Sequence, residues 1–357
     1  MYRADHVGSL LRPAELLEAR TPELEDESIL RVLQRQKELG FQIFTDGEFR
    51  RGGFMSDFYD SVEGLNPADD IKRTWKGATI QTGVGLAGVV SQKLRQTKRL
   101  TGHETAFLKQ HSPGDIKMTL PTANQFPAIA YKTGVSEQVY PTRSDFLWDI
   151  VPIIKSEIQA LIAEGVKYIQ IDAPRYSYYI DPKWRGYIRD EMGMDPDQAL
   201  DEAIRADNAC LDGLNRDGVT IAIHLCRGNN RSRWYAEGGY DPIAEKLFNQ
   251  LNVDQFLLEY ESERAGSFEP LRFMPGGKNA KGVVLGLISS KLPQLEAPEQ
   301  VIGRIEEAAK YVPLDRLALS PQCGFASALE GNLLTEAEQW AKLKLVVDTA
   351  RRVWGLV

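Results

Sequence analysis

Cysteine is scarce in this chain: three in 357 residues, at Cys210, Cys226 and Cys323. So small and odd a number builds no disulfide framework, which leaves the thiols as free side chains or metal ligands in a reducing compartment. No run approaches the roughly 20 apolar residues that a bilayer span requires. The opening MYRADHVGSL also lacks the apolar centre of a signal peptide. A cytoplasmic protein with no membrane partner is expected. Positive charge is not in excess either: 43 Lys and Arg against 50 Asp and Glu leave a formal charge of -7. Nucleic-acid surfaces concentrate cations to displace phosphate counterions, so no nucleic-acid partner is expected, and a small polar one is.

Core material, by contrast, is ample, with 43% hydrophobic and 26% charged residues, the balance of an ordinary globular protein. The length suits one α/β barrel carrying insertions, so residues 1–357 are expected to form a single domain. Short β-rich runs alternate with long amphipathic segments, the pattern of repeated βα units around a parallel sheet. Eight such runs lie near Ala4 to Val7, Gln42 to Thr45, Ile116 to Leu120, Tyr168 to Ile171, Val219 to His224, Gln255 to Glu259, Val283 to Ile288 and Leu317 to Ser320. Eight strands predict a (β/α)8 TIM barrel. Helices are predicted over Glu27 to Leu39, Ser144 to Glu164, Pro196 to Asp217, Pro242 to Leu251, Pro298 to Lys310 and Thr335 to Val353. Thr335 with Glu338 spells a capping box, in which two side chains and two backbone N–H groups satisfy each other. Asn215 to Gly218 is the expected stop of the third helix, since Gly tolerates the left-handed turn there.

From Phe49 to about Gly114 the spacing is too long for one loop and helix, and residues 49–114 read as an insertion after the second strand. Inside it Thr74 to Gln81 and Val89 to Arg99 alternate like the arms of a β-hairpin around GVGLAG. The GxGxxG spelling of Gly83, Gly85 and Gly88 is not followed by a helix start or an acidic strand end at dinucleotide-site spacing, so it reads as a turn.

Catalytic groups of such barrels collect at the C-terminal ends of the strands, and side chains two apart share a face. Those ends carry Ser9, Asp46, Glu48, Asp172, His224, Cys226, Glu259 and Cys323. His224 and Cys226 stand one residue apart in AIHLCRG after the fifth strand. Cys323 follows the eighth in LSPQCGF, and Glu259 ends the sixth in FLLEYES. A lone buried His or Cys is usually a packing residue; four such groups brought together from three strand ends suit four-coordinate zinc with one exchangeable oxygen ligand. Zn2+ held by two thiolates is better at keeping a substrate thiol ionised than at making hydroxide. The expected chemistry is therefore exchange of Glu259 or water for a small thiol, which then attacks an alkyl group on a second substrate.

In order along the chain, VGSLLRP, FTDGEFRRG, IQIDAP, IHLC, a strand ending in Glu and SPQCG make the sequence resemble, nearly end to end, the C-terminal catalytic half of cobalamin-independent methionine synthase. The resemblance implies that His224, Cys226, Glu259 and Cys323 are zinc ligands, with Glu261 and Glu263 close to Glu259 in sequence. It further implies a homocysteine pocket in which Val7 and Ser9 meet the carboxylate while Glu48 and Asp172 meet the ammonium. An amino-acid ammonium buried in a pocket needs such partners. The structural alternative for the two acids is ion pairing with Arg50, Arg51 or Arg175.

Three departures from the family stand out. There is no counterpart of its N-terminal half, so a folate site must come from this barrel and its insertion. Where members carry a histidine after the seventh strand to protonate the leaving group, this chain reads LGLISSKLPQLE, with Ser289 in that neighbourhood and Lys291 or water as substitutes, unless the donor is not a folate. The segment RGNNRSRWYAEGGYDP, after Cys226, is long and reads equally as a lid, an anion clamp or a solvated loop. Trp148, Trp184, Trp234, Tyr176, Tyr178 and Tyr179 offer flat faces for a conjugated donor. The expected function is zinc-dependent methyl transfer to homocysteine from a methyltetrahydrofolate or another carrier such as a corrinoid. The alternatives are alkylation of a coenzyme M type thiol, and zinc-dependent thiol binding without catalysis. A homo-oligomer is compatible with the sequence.

Overall fold

The computed structural model describes residues 1–71, 73–76, 81–84 and 88–355. The chain opens with α1 (Ala14–Glu18) and α2 (Pro22–Leu39), then β1 (Ile43–Phe44). Helix α2 starts before the expected Glu27 because Thr21 caps it, accepting from the Leu24 N–H, and Pro22 occupies its first turn. Pro is preorganised there and gives up only an N–H that has no partner in a first turn. Gly40, at φ 99°, ends it.

Between β1 and the next long strand lie α3 (Ser56–Ser61), β2 (Val62–Asn66), β3 (Arg73–Trp75), β4 (Gln81–Val84), β5 (Val89–Gln96) and α4 (Gly102–His111). The pairing differs from the expected hairpin. Among the described residues β5 pairs antiparallel with β2, and β3 pairs with β4; residues 77–80 of the expected 74–81 arm lie outside the described residues. In that ladder Leu65 of β2 stands opposite the buried Val90, Asn66 opposite Val89 and Val62 opposite Gln96. Residues 85–87 of the GVGLAG turn lie outside the described residues; its Gly83 falls within β4.

The chain continues through β6 (Asp115–Pro121), α5 (Pro127–Ala130), α6 (Arg143–Ala163), β7 (Tyr168–Asp172), α7 (Pro182–Asp190), α8 (Pro196–Ala209), β8 (Thr220–Leu225), α9 (Asp241–Gln250), β9 (Gln255–Glu259), β10 (Gly282–Ile288), α10 (Pro298–Ala308), β11 (Leu317–Pro321) and α11 (Glu336–Trp354). Helix α8 stops at Ala209, well before Asp217: Gly213 at φ 73° turns the chain, and the Asn215 side chain accepts from the Asp217 N–H in a local turn of its own. The capping box of α11 forms as expected.

Seven strands make one curled parallel sheet in the order β1-β6-β7-β8-β9-β10-β11, a TIM-barrel-like α/β fold. The first predicted strand forms no ladder. Ala4 makes a single parallel bridge to Leu319 of β11, while the Thr45 hydroxyl just after β1 donates to Gly8 O at 3.1 Å, so the 4–8 segment runs between the two edges of the sheet. Inside the curl, Val7, Ile43, Tyr168, Ala222, Leu257, Val284 and Ala318 pack as one buried layer. Lys117 of β6 enters the same interior, where its ammonium donates to Asp5 at 2.8 Å. Two residues further along each segment the same faces carry Ser9, Thr45, Gln170, His224, Glu259, Gly286 and Ser320. The interior thus changes from apolar to polar within one step of the strand repeat. Among the described residues no helix is long and apolar enough to cross a membrane.

Candidate metal centre and substrate cavity

The polar layer opens into a cavity of about 540 Å³. At its base one ring nitrogen of His224 and the sulfurs of Cys226 and Cys323 all lie within 4.8 Å of one another, and all three residues are buried. Strand β8 sets the first two: His224 ends the inward-facing row and Cys226 follows one residue past the strand. Cys323 comes from the turn after β11. Neither ring nitrogen of His224 has a hydrogen-bond partner, an uncommon state for a buried imidazole. The two sulfurs are 3.6 Å apart. Two thiolates on one tetrahedral zinc, with Zn–S bonds of about 2.3 Å, stand roughly 3.8 Å apart. An imidazole with idle nitrogens beside sulfurs at that spacing fits a zinc ion.

The sulfurs also polarise each other. A hydrogen bond from Cys226, helped by His224, holds the Cys323 thiol well below its ordinary pKa despite burial. The same contact, together with burial, pushes Cys226 up. Burial works against the His224 imidazolium, but the neighbouring Cys323, Asp172 and Glu259 outweigh it and raise its pKa.

Glu259, the fourth expected ligand, is not in the three-donor group. One of its carboxylate oxygens accepts from the Arg227 N–H at 3.0 Å and the other from Gln322 Nε2 at 3.3 Å, with the Arg227 guanidinium 3.6 Å away. Glu261 instead pairs with Arg264. Ser289 and Lys291 lie outside the cavity lining. The Ser289 hydroxyl accepts from the N–H groups of Lys291 and Leu292, and Lys291 Nζ donates to Gly228 O at 3.0 Å and Asn229 Oδ1 at 2.9 Å. Lys291 thereby ties down the chain just after Cys226.

Val7, Ser9, Glu48 and Asp172 all line the cavity. Glu48 is fixed from behind: Thr119 Oγ1 donates to its Oε1 at 2.8 Å, and Arg51 donates in turn to that hydroxyl while gripping Glu104 with two bonds. Arg51 is 3.7 Å from Glu48, so its main partner is Glu104 and the Glu48 Oε2 stays buried without a hydrogen bond. Gly8 makes the approach possible, since a Cβ there would come within 2.9 Å of the Glu48 carboxylate. Asp172 accepts from Gln170 Nε2 at 2.7 Å. Burial, opposed by His224 and reinforced by Glu48, pushes Asp172 up to about 7. Ser9 accepts from the Ala326 N–H at 3.2 Å and sits where a Gly324 Cβ would have to be, packing the first segment against the turn that carries Cys323.

The aromatic wall differs from expectation. Tyr176, Tyr178 and Tyr179 are buried behind the cavity, Trp148 is 39% exposed on α6, and the rings that line the cavity are Phe54, Tyr59 and Tyr235. The loop after Cys226 is ordered by many bonds. Arg231 and Ser232, at φ 49° and 65°, make a tight two-residue turn between Asn230 and Arg233, and Trp234 exchanges backbone bonds with Lys76. It contributes Asn229, Asn230, Arg231 and Tyr235 to the lining. Sequence reasoning missed Gln125 as a cavity residue and treated Arg175 only as an ion-pair partner. The signal for Arg175 was its place three residues beyond Asp172, at the same strand end.

Comparison with known proteins agrees with this architecture. The family profile described as "Cobalamin-independent synthase, Catalytic domain" matches residues 9–352. The chain is 38% identical to the protein YxjH of Bacillus subtilis (strain 168), which is itself uncharacterized, across 99% of this chain and 95% of that one. It is 24% identical to a methionine synthase of Sulfurisphaera tokodaii, across 84% of this chain and 75% of the relative. Among solved structures, a B12-independent methionine synthase from Shewanella sp. W3-18-1, in complex with selenomethionine, shares the fold with a TM-score of 0.76 at 21% identity, covering 99% of this chain and 98% of that one.

Proposed function

Because the chain belongs to the cobalamin-independent synthase catalytic-domain family, and is a methyltransferase by that membership, we propose that it methylates the thiol of homocysteine to give methionine. The observation that carries this reading is the grouping of His224, Cys226 and Cys323 at the base of a cavity that also presents Glu48 and Asp172. We read residues 1–357 as one barrel domain whose first stave is the 4–7 segment, with 49–114 inserted above it.

His224, Cys226 and Cys323 would hold zinc, which when bound supplies the charge that keeps a thiol ionised near neutral pH. The chain's own residues do the rest. Glu48 Oε2, buried without a partner, and Asp172 receive the amino-acid ammonium. Ser9 and the Val7 backbone border the same space. Lys291 lowers the pKa of Cys323 by its charge and steadies the Gly228–Asn229 turn; we assign it and Ser289 to support of the centre, not to proton delivery. Glu259, clasped by Arg227 and Gln322 and not part of the cavity lining, we read as the group that would yield its place to the thiol. The substrate sulfur attacks the methyl carbon, the S–C bond forms as the bond to the donor breaks, and the donor leaves with that electron pair.

We take the donor to be a methyltetrahydrofolate. The two buried carboxylates of the cavity lining, Glu48 and Asp172, favour an amino-acid thiol over a sulfonate thiol of the coenzyme M type, which brings no ammonium. The test is to incubate metal-replete protein with homocysteine and methyl-labelled tetrahydrofolate and look for labelled methionine. Label in methionine is the expected result. Tight homocysteine binding with no methionine from folate or corrinoid donors would replace this reading by a thiol-binding role.

A further inference from the structure

The cavity contains one buried cation that methyl transfer to homocysteine, as set out above, does not use. Arg175 is 2% exposed and lines the cavity beside Asp172. Its Nε donates to Gln125 Oε1 at 3.1 Å, while Nη1 and Nη2 are buried with no hydrogen-bond partner. The guanidinium plane is held by rings, with Tyr178 and Tyr235 centred 4.4 Å and 5.3 Å from its carbon, and Trp184 stacks on Tyr178 at 4.2 Å. Gln125 also lines the cavity, and its Nε2 is likewise buried and unpartnered. Since the Arg175 Nε–H fixes the amide oxygen, the nitrogen is the end left over.

Here donors converge without an acceptor. A buried guanidinium is costly unless an anion meets it, and its flat fork matches a carboxylate, which accepts two parallel bonds. The stacked rings remove the freedom a long side chain would otherwise lose on binding. We propose that Arg175 and Gln125 form a carboxylate-binding subsite for a substrate. This rests on the methyl-transfer reading for the compounds that bring a carboxylate: the amino-acid thiol and a glutamyl-bearing donor.

The test uses metal-loaded wild-type protein, Arg175→Lys and Arg175→Gln, titrated calorimetrically with two pairs of probes. One pair is L-homocysteine and 3-aminopropane-1-thiol, its analogue without the carboxylate; the other is pteroylglutamate and the n-butylamide of pteroic acid, which keeps the benzamide and carries no carboxylate. For one pair, the wild type is expected to favour the carboxylated compound by about tenfold or more, the scale of a charged hydrogen bond. That preference disappears in Arg175→Gln and returns in part in Arg175→Lys. The pair that responds identifies which substrate brings the carboxylate. Unchanged affinity for the analogue without the carboxylate shows that the variant is folded. The subsite is overturned if all three proteins show the same preference, or none, in both pairs. Methionine formation with no dependence on Arg175 would remove the subsite and leave the reaction. A preference dependent on Arg175 without methionine formation would remove the reaction and leave the subsite.

Discussion

Glu48 adopts φ 60° directly after Gly47 at φ 70°, a left-handed conformation that costs a residue with a Cβ about 1 kcal/mol or more. The strain turns the carboxylate back over Gly8 and into the cavity. Asp46 holds the turn, with one carboxylate oxygen accepting from the Glu48 N–H at 2.8 Å and the other buried without a partner. Burial, with Glu104 nearby, pushes Asp46 up to about 6 from 3.8. The folded protein therefore favours the neutral acid. That contribution is fully present below pH 4 and is lost as the pH rises through about 6. Asp46→Asn keeps an accepting oxygen and cannot ionise. Between pH 4 and 7 the wild type is expected to lose up to about 3 kcal/mol relative to this variant, measured by urea unfolding at several pH values. Parallel profiles would show that Asp46 carries no such penalty. At this scale the sequence was legible where the period of a strand decides. His224 and Cys226 project from one strand end, and Glu48 and Asp172 from two others. It was illegible where a partner decides: the direction of Glu259 depends on Arg227 and Gln322, and the role of Lys291 on a turn 62 residues away, at Asn229.

Elements were legible where their ends are written locally. Thr335 accepts from the Glu338 N–H, and Glu338 in turn accepts from the Thr335 N–H, so α11 begins where two residues three apart say it should. This helix packs against β11, α10 and α2, so fraying of its first turn loosens a scaffold shared with the strand before Cys323. Thr335→Ala is expected to cost about 1 kcal/mol and to lower the melting temperature by about 2 °C, read by calorimetry, with the metal content of the protein unchanged. No shift in melting would mean that the cap is made up by solvent. Pairing between distant segments was not legible. β5 takes β2, setting the buried Val90 against Leu65, and alternation alone does not choose between partners. The first stave is shorter than expected: the Asp5 N–H donates to Leu319 O and the Leu319 N–H to Arg3 O around the one bridge at Ala4, while the Asp5 carboxylate turns inward to Lys117 and Tyr168.

Across the molecule, the three metal-fitting side chains come from the end of β8 and from the turn beyond β11, the two cysteines standing 97 positions apart in sequence. Strands β9 and β10 lie between them in the sheet, so an ion there joins two sides of the barrel mouth that no hydrogen-bonded ladder connects directly. Any ligand that binds only the folded chain adds stability in proportion to the logarithm of its concentration over Kd, about 4 kcal/mol at a thousandfold excess. A strong chelator is accordingly expected to lower the melting temperature of zinc-loaded wild-type protein by several degrees, and added zinc to restore it. In Cys323→Ser a neutral hydroxyl replaces a thiolate donor. That variant should retain little metal on dialysis, melt near the chelated wild type and be indifferent to the chelator. Metal analysis beside each melt separates loss of the ion from loss of the fold. Should wild-type protein with one zinc per chain melt at the same temperature after the metal is stripped, the three side chains would not be bridging the mouth.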